Sequence, residues 1–128
     1  MVGMTSRLLV VDAANVVGSR PDGWWRDRPG AARRLLTQLT ELRLDEPTAI
    51  VVILEGAAKA AAAAYKGIAV VLAPASGDDT IVDTVTAARA AAPTRPITVV
   101  TADRGLRARL EPHNITIVGP RWLLDRID

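Results

Sequence analysis

The chain contains no cysteine. That excludes a disulfide framework, a thiolate metal site and a thiol nucleophile. It has a single histidine, His113, set between Pro112 and Asn114 in a predicted loop. Such a residue reads as structural or solvated, which removes most histidine-dependent mechanisms, the serine triad among them. No apolar run reaches the roughly 18 residues a membrane span needs. The segment from Met1 to Arg7 has no apolar core of the signal-peptide kind. The expectation is a soluble cytoplasmic protein that does not enter a membrane. Lysine is scarce: arginine supplies 14 of the 16 basic residues. Net charge is only +2, so the total alone does not argue for nucleic acid. The planar fork of arginine does suit phosphate.

What is present is an apolar, folding composition. Hydrophobic residues make up 49% of 128, which suits one domain spanning 1–128 with a sizeable core. Five short apolar runs lie near 7–11, 49–54, 68–72, 97–101 and 115–118. They are continuous rather than alternating, as strands covered on both faces are. Helix-like segments separate them. One opens near Arg28-Pro29 with Asp27 as cap and a stripe of Leu35, Leu36, Leu39 and Leu42. Ala57 to Tyr65 is alanine-rich and predicted helical, ending at Gly67. Ser76-Gly77-Asp78-Asp79 opens a helix running to about Ala92. Shorter helices are predicted over Arg104–Leu110 and Pro120–Ile127, the last packed down by Trp122. Strands alternating with helices predict a three-layer α/β domain. Its central, mainly parallel sheet would have about five strands, with helices on both faces.

Acidic residues stand where the apolar runs stop. Asp12 ends the first run, Glu55 the second, and Asp103 follows the fourth. Asp78 and Asp79 open the helix after the third. In a parallel sheet these positions gather on one edge, where open α/β sheets bind ligands. Two carboxylates about 4 Å apart repel by roughly 4 kcal/mol at an effective dielectric near 20. A divalent cation relieves that, and oxygen donors favour Mg²⁺ or Mn²⁺ over Zn²⁺. On a helical wheel Asp78 falls among Ile81, Val82, Val85, Ala88 and Ala92, the face that covers the sheet. Asp79 lies at its margin and Asp83 further out. Each acid also has a plainer reading. Asp12 can cap a turn through Asp12-Ala13-Ala14-Asn15, and Asp103 can cap a helix. First-turn acids favour the helix dipole, and Glu55 can be an ordinary loop acid. Asn15 can hold a metal-bound water or a substrate phosphate, or simply serve a turn.

Three segments in order carry a resemblance. Leu9-Val10-Val11-Asp12-Ala13-Ala14-Asn15-Val16 is similar to the opening strand of the NYN branch of the PIN-like nuclease superfamily, with Ala13 where that pattern often has Gly. Gly77-Asp78-Asp79-Thr80-Ile81-Val82 resembles its paired-aspartate helix start. Val99-Val100-Thr101-Ala102-Asp103-Arg104 resembles its Val-Ser/Thr-x-Asp segment. The resemblance implies a PIN-like, Rossmann-like fold and a metal-dependent ribonuclease. In it Asp12, Asp78, Asp79 and Asp103 would hold one or two Mg²⁺ or Mn²⁺ ions, with Asn15 in support. RNA must then be steered past an acidic site. Candidate phosphate contacts are Arg20, Arg26 and Arg28 after the first strand and Arg104, Arg107 and Arg109 after the fourth. Trp24 or Trp25 can stack on an unpaired base, while at least one of them is expected to be structural.

The main alternative is a catalytically silent RNA- or protein-binding module on the same scaffold. A toxin of a toxin–antitoxin pair would share the chemistry. Other phosphate-ester enzymes fit less well. A haloacid-dehalogenase-type site needs Asp-x-Asp, and Ala14 holds the second position. A Nudix-type site needs a Glu-rich helix, and the chain has four Glu. No Gly-x-x-x-x-Gly-Lys-Ser/Thr loop occurs. A homodimer or protein partner is left open.

Overall fold

The computed structural model describes residues 6–128. Five strands form one sheet in the order β3-β2-β1-β4-β5. They are β1 (Arg7–Asp12), β2 (Thr48–Leu54), β3 (Ile68–Leu72), β4 (Ile97–Val100) and β5 (Thr116–Val118). Every neighbouring pair is parallel. The first strand is therefore central. Val11 lies level with Val52 on one side and Val100 on the other.

Five α-helices cover the sheet: α1 (Ala13–Gly18), α2 (Arg28–Leu39), α3 (Gly77–Ala91), α4 (Arg104–Leu110) and α5 (Pro120–Ile127). The period-2 alternation of a strand assigns them to faces. Leu9 and Val11 of β1, with Val52, Leu54 and Val100, pack against Val16 of α1, Leu35, Leu36 and Leu39 of α2 and Leu123 of α5. Leu8 and Val10, with Ile53, Ile97 and Val99, pack against Ile81 and Val85 of α3 and Leu106 and Leu110 of α4. Both faces of β1 are thus dry, which is why its sequence is apolar without alternation. Burying each such side chain stabilises the fold by about 1.5–3 kcal/mol. Trp122 packs α5 onto the first of these layers, with the Arg126 guanidinium 4.1 Å from its ring centroid.

Local chemistry sets the helix starts. Asp27 Oδ1 accepts from Gly30 N at 2.9 Å, and Pro29 stands in the first turn of α2. Ser76 Oγ accepts from Asp78 N at 3.1 Å to open α3. Two segments differ from the sequence reading. No helix is predicted directly after Asp12, and the plainer reading of that segment as a turn gives way to α1, six residues long. The alanine run forms only a 3-10 segment, Gly56–Ala61, before the chain extends. Helices in proteins draw most of their stability from packing an apolar face. This run has no large apolar side chain, and only Ala61 of the segment is buried. Gly67, at φ 77°, does turn the chain into β3. His113 lies in a short turn, Glu111–His113, whose last carbonyl accepts from Arg89 Nε at 3.0 Å. Among the described residues no helix is long and apolar enough to cross a membrane.

Candidate active site at the carboxyl edge of the sheet

Because all five strands run the same way, β1, β2 and β4 end on one edge. Asp12 closes β1 there and is only 4% exposed. Its surroundings are specific. Thr101, fully buried just past β4, donates its hydroxyl to Asp12 Oδ2 at 2.9 Å. The Thr101 oxygen in turn accepts from Asp103 N at 3.1 Å. Asp12 Oδ1 caps α1 through Asn15 N at 3.4 Å. The Asn15 side-chain oxygen accepts from Ala102 N at 2.9 Å. Asn15 and Thr101 thus clamp the end of β1 to the end of β4. The sequence motif contained Thr101, but nothing in it marked the hydroxyl as Asp12's partner.

The other acids stand around this clamp. Glu55 follows β2, and its carboxylate leans against buried Gly77 at the start of α3, where a Cβ would lie 2.5 Å from Glu55 Oε1. Glycine there admits the close approach. Asp78 is half-buried in the first turn of α3, as its wheel position predicted. Burial pushes the Asp12 carboxyl above the usual carboxylate range, and the charges of Asp78 and Glu55 push the same way. The hydrogen bonds from Thr101 and Asn15 act against them. Asp78 is also raised, first by desolvation, then by Asp103, Glu55 and Asp79, with Arg109 opposing. Asp12 thus feels the charges of Asp78 and Glu55, and Asp78 those of Asp103, Glu55 and Asp79.

They do not form a closed cage. Among the described residues no three acidic or histidine side chains stand close enough together to hold one ion. Local donors explain the spacing. Asp103 Oδ1 accepts from Leu106 N at 2.9 Å and caps α4. Asp79 pairs with Arg109 at 2.9 Å and is mostly exposed. Asp83 is exposed on α3. By contrast, neither the Asp78 nor the Glu55 carboxylate accepts a hydrogen bond among the described residues. The donor set is all oxygen, which is the chemistry hard divalent cations take.

The basic residues divide. Arg20 does not line the rim. Its guanidinium is buried and donates to Gln38 of α2 and Asp128 of the chain's end, both at 2.7 Å. It ties α2 to the end of α5 instead of reaching solvent. Arg26, Arg28, Arg104 and Arg107 are exposed, without a carboxylate partner among the described residues. Arg28 lies 5.2 Å from the Trp24 centroid and Arg26 lies 5.8 Å from that of Trp25. Trp24 is half-buried against the core, and Trp25 is 55% exposed. Arg104 and Arg107 border an open groove with Ala108, Glu111 and Ile117.

No family model matches the sequence, and no curated protein matches it. Two crystal structures of Rae1 (YacP) from Bacillus subtilis, one of them a point mutant, are similar to it. Each has a TM-score of 0.77 at 16% identity and covers 94% of this chain. The match spans 74% of the mutant chain and 72% of the other. At that identity the likeness shows the fold alone. That fold is a five-stranded parallel sheet in three layers.

Proposed function

We propose that the chain is a metal-dependent ribonuclease of the NYN branch, hydrolysing RNA phosphodiester bonds at the edge that Asp12 closes. One observation carries this reading. A carboxylate is buried at the end of the central strand, held on both oxygens, with the charges of Asp78 and Glu55 acting on it. Burying such a group is costly without a compensating partner. A stability requirement alone gives no reason to place two more acids beside it.

In this reading Asp12, Asp78 and Asp103 would hold Mg²⁺ or Mn²⁺ once their side chains turn inward, since as they stand no three acids among the described residues are close enough together to share an ion. Glu55, whose carboxylate accepts no hydrogen bond among the described residues, would be free to turn toward the same place. Such an ion supplies Lewis acidity and an activated water. The chain's own residues do the rest. Thr101 and Asn15 fix the angle of the Asp12 carboxylate. Asp79, through Arg109, braces the α3 start against α4. Arg26, Arg28, Arg104 and Arg107 bind phosphates on either side, giving affinity without sequence readout.

The spacing of the acids favours a second reading, a silent RNA-binding module on the same scaffold. Cleavage of single-stranded RNA by the wild type and Asp12→Asn, with Mg²⁺, with Mn²⁺ and with chelator, separates them. The nuclease reading expects cleavage with metal, none with chelator, and a loss of about 10²-fold or more in the variant. Equal cleavage by the variant overturns the site. No cleavage under any condition favours the silent module.

A further inference from the structure

On the α1–α2 side, a hollow of about 220 Å³ opens beside the acidic edge, lined by Ala13, Ala14, Val17, Trp24, Arg28, Ala32, Glu55, Gly56 and Ala58. It is smaller than the roughly 300–1,000 Å³ of a drug-sized pocket. Its dimensions suit one flat ring system. The floor is apolar and made of small side chains, with Ala13 and Ala32 fully buried. One wall is Trp24, which packs against the core. The guanidinium of Arg28 lies 5.2 Å from that ring's centroid and keeps a positive charge at the mouth. Glu55 and Gly56 also line the hollow, so it shares a residue with the acidic edge.

We infer that this hollow receives a single unpaired nucleobase of the RNA, seated against Trp24, with its backbone phosphate near Arg28. The inference rests on the ribonuclease reading and names its substrate class: single-stranded or looped RNA with a base free to leave the stack. A base inside a duplex presents no face to Trp24, and unstacking it has a cost. Base stacking on an aromatic ring tolerates every base, so the hollow selects for an unpaired strand and not for a sequence.

The test is binding, measured in chelator so that cleavage plays no part. Fluorescence anisotropy is followed for a labelled single-stranded RNA hexamer and for a duplex of the same length. The proteins are wild type, Trp24→Ala, Trp25→Ala and Ala14→Phe. Ala14 is exposed on α1 and lines the hollow, so its replacement by Phe fills the space without disturbing the core. Trp24 also packs on the core, which makes Ala14→Phe the deciding variant, with its melting curve compared to wild type. The expected result is a loss of about tenfold in single-strand affinity for Trp24→Ala and Ala14→Phe, no loss in duplex affinity, and less than about threefold for Trp25→Ala. Three results each overturn the inference: wild type that does not bind the single strand, Ala14→Phe that binds it as wild type does, and equal losses on single strand and duplex. The two readings fail separately. A chain that binds in this pattern yet cuts nothing keeps the hollow and loses the nuclease. A chain that cuts while Ala14→Phe binds normally does the reverse.

Discussion

Asp12 and Asp78 stand on the same edge but are built differently. Asp12 belongs to the rigid half: 4% exposed, bonded by a threonine hydroxyl and a backbone N–H, at the end of the central strand. Asp78 belongs to the other half: half-buried, on the first turn of a helix, its carboxylate without a hydrogen bond among the described residues. Both carboxyls are raised, and burial leads in each case. The difference teaches how such a site can be assembled. One acid is fixed by the fold. The others keep enough freedom to meet a ligand.

The largest expected effect tests that division directly. Asp12→Asn should lower ribonuclease cleavage by about 10²-fold or more. Asp79→Asn, at a position already taken by Arg109, should lower it less than about threefold. Initial rates on one single-stranded RNA with Mn²⁺ decide it. If both variants lose activity equally, the exposed aspartate is as deep in the chemistry as the buried one, and the comparison breaks.

Thr101 sharpens it next. Thr101→Val keeps the shape but removes the hydroxyl that donates to Asp12 and accepts from Asp103 N. A buried carboxylate oxygen and a part-buried N–H lose their partner together. Denaturant unfolding should show a loss of about 1–3 kcal/mol. Thr101→Ser should restore most of it. A Val variant as stable as wild type means the hydroxyl does not hold Asp12 in place.

Much of this was legible in the sequence, for a physical reason. Strands dry on both faces must be apolar throughout, so the five runs announced themselves. Parallel strands must end together, so the acids that followed them had to share an edge. What stayed hidden depends on partners far along the chain. Arg20 bonds Gln38 and Asp128, 18 and 108 residues away, and locally it looks like any surface arginine. Thr101 and Asp12 are 89 residues apart. Helix α1 is too short for an apolar stripe, while the alanine run has helix propensity without an apolar face to pack. The hollow between Trp24 and Gly56 has no motif at all, since small side chains from three segments make it.

The same contrast divides the arginines. Arg104→Ala or Arg107→Ala should weaken RNA binding about two- to fivefold and lower the slope of log affinity against log salt by about 1 if the residue neutralises a phosphate. Arg20→Met should leave that slope unchanged and lower the melting temperature instead, because it leaves Asp128 and Gln38 without their cation. A salt slope that falls for Arg20→Met would return it to the RNA surface.

The smallest effect is the most particular to a buried carboxylate. In the native state Asp12 holds its proton more tightly than in the unfolded chain. Below the ordinary value of 3.8 both states are protonated and nothing is lost. As pH rises through the raised native value, the native state must ionise a buried group, and stability falls relative to a chain without it. Asp12→Asn removes that penalty; its amide oxygen still accepts from Asn15 N, and its NH2 donates to the Thr101 oxygen in place of the bond that Thr101 gave the carboxylate. In chelator, the variant should therefore melt a few degrees higher than wild type near pH 8, with the gap closing toward pH 4. The chain would gain stability from the substitution expected to cost it most cleavage. A variant that melts lower than wild type at pH 8 would mean that the carboxylate stabilises the fold by itself, and the electrostatic case for a cation at this edge would lose its footing.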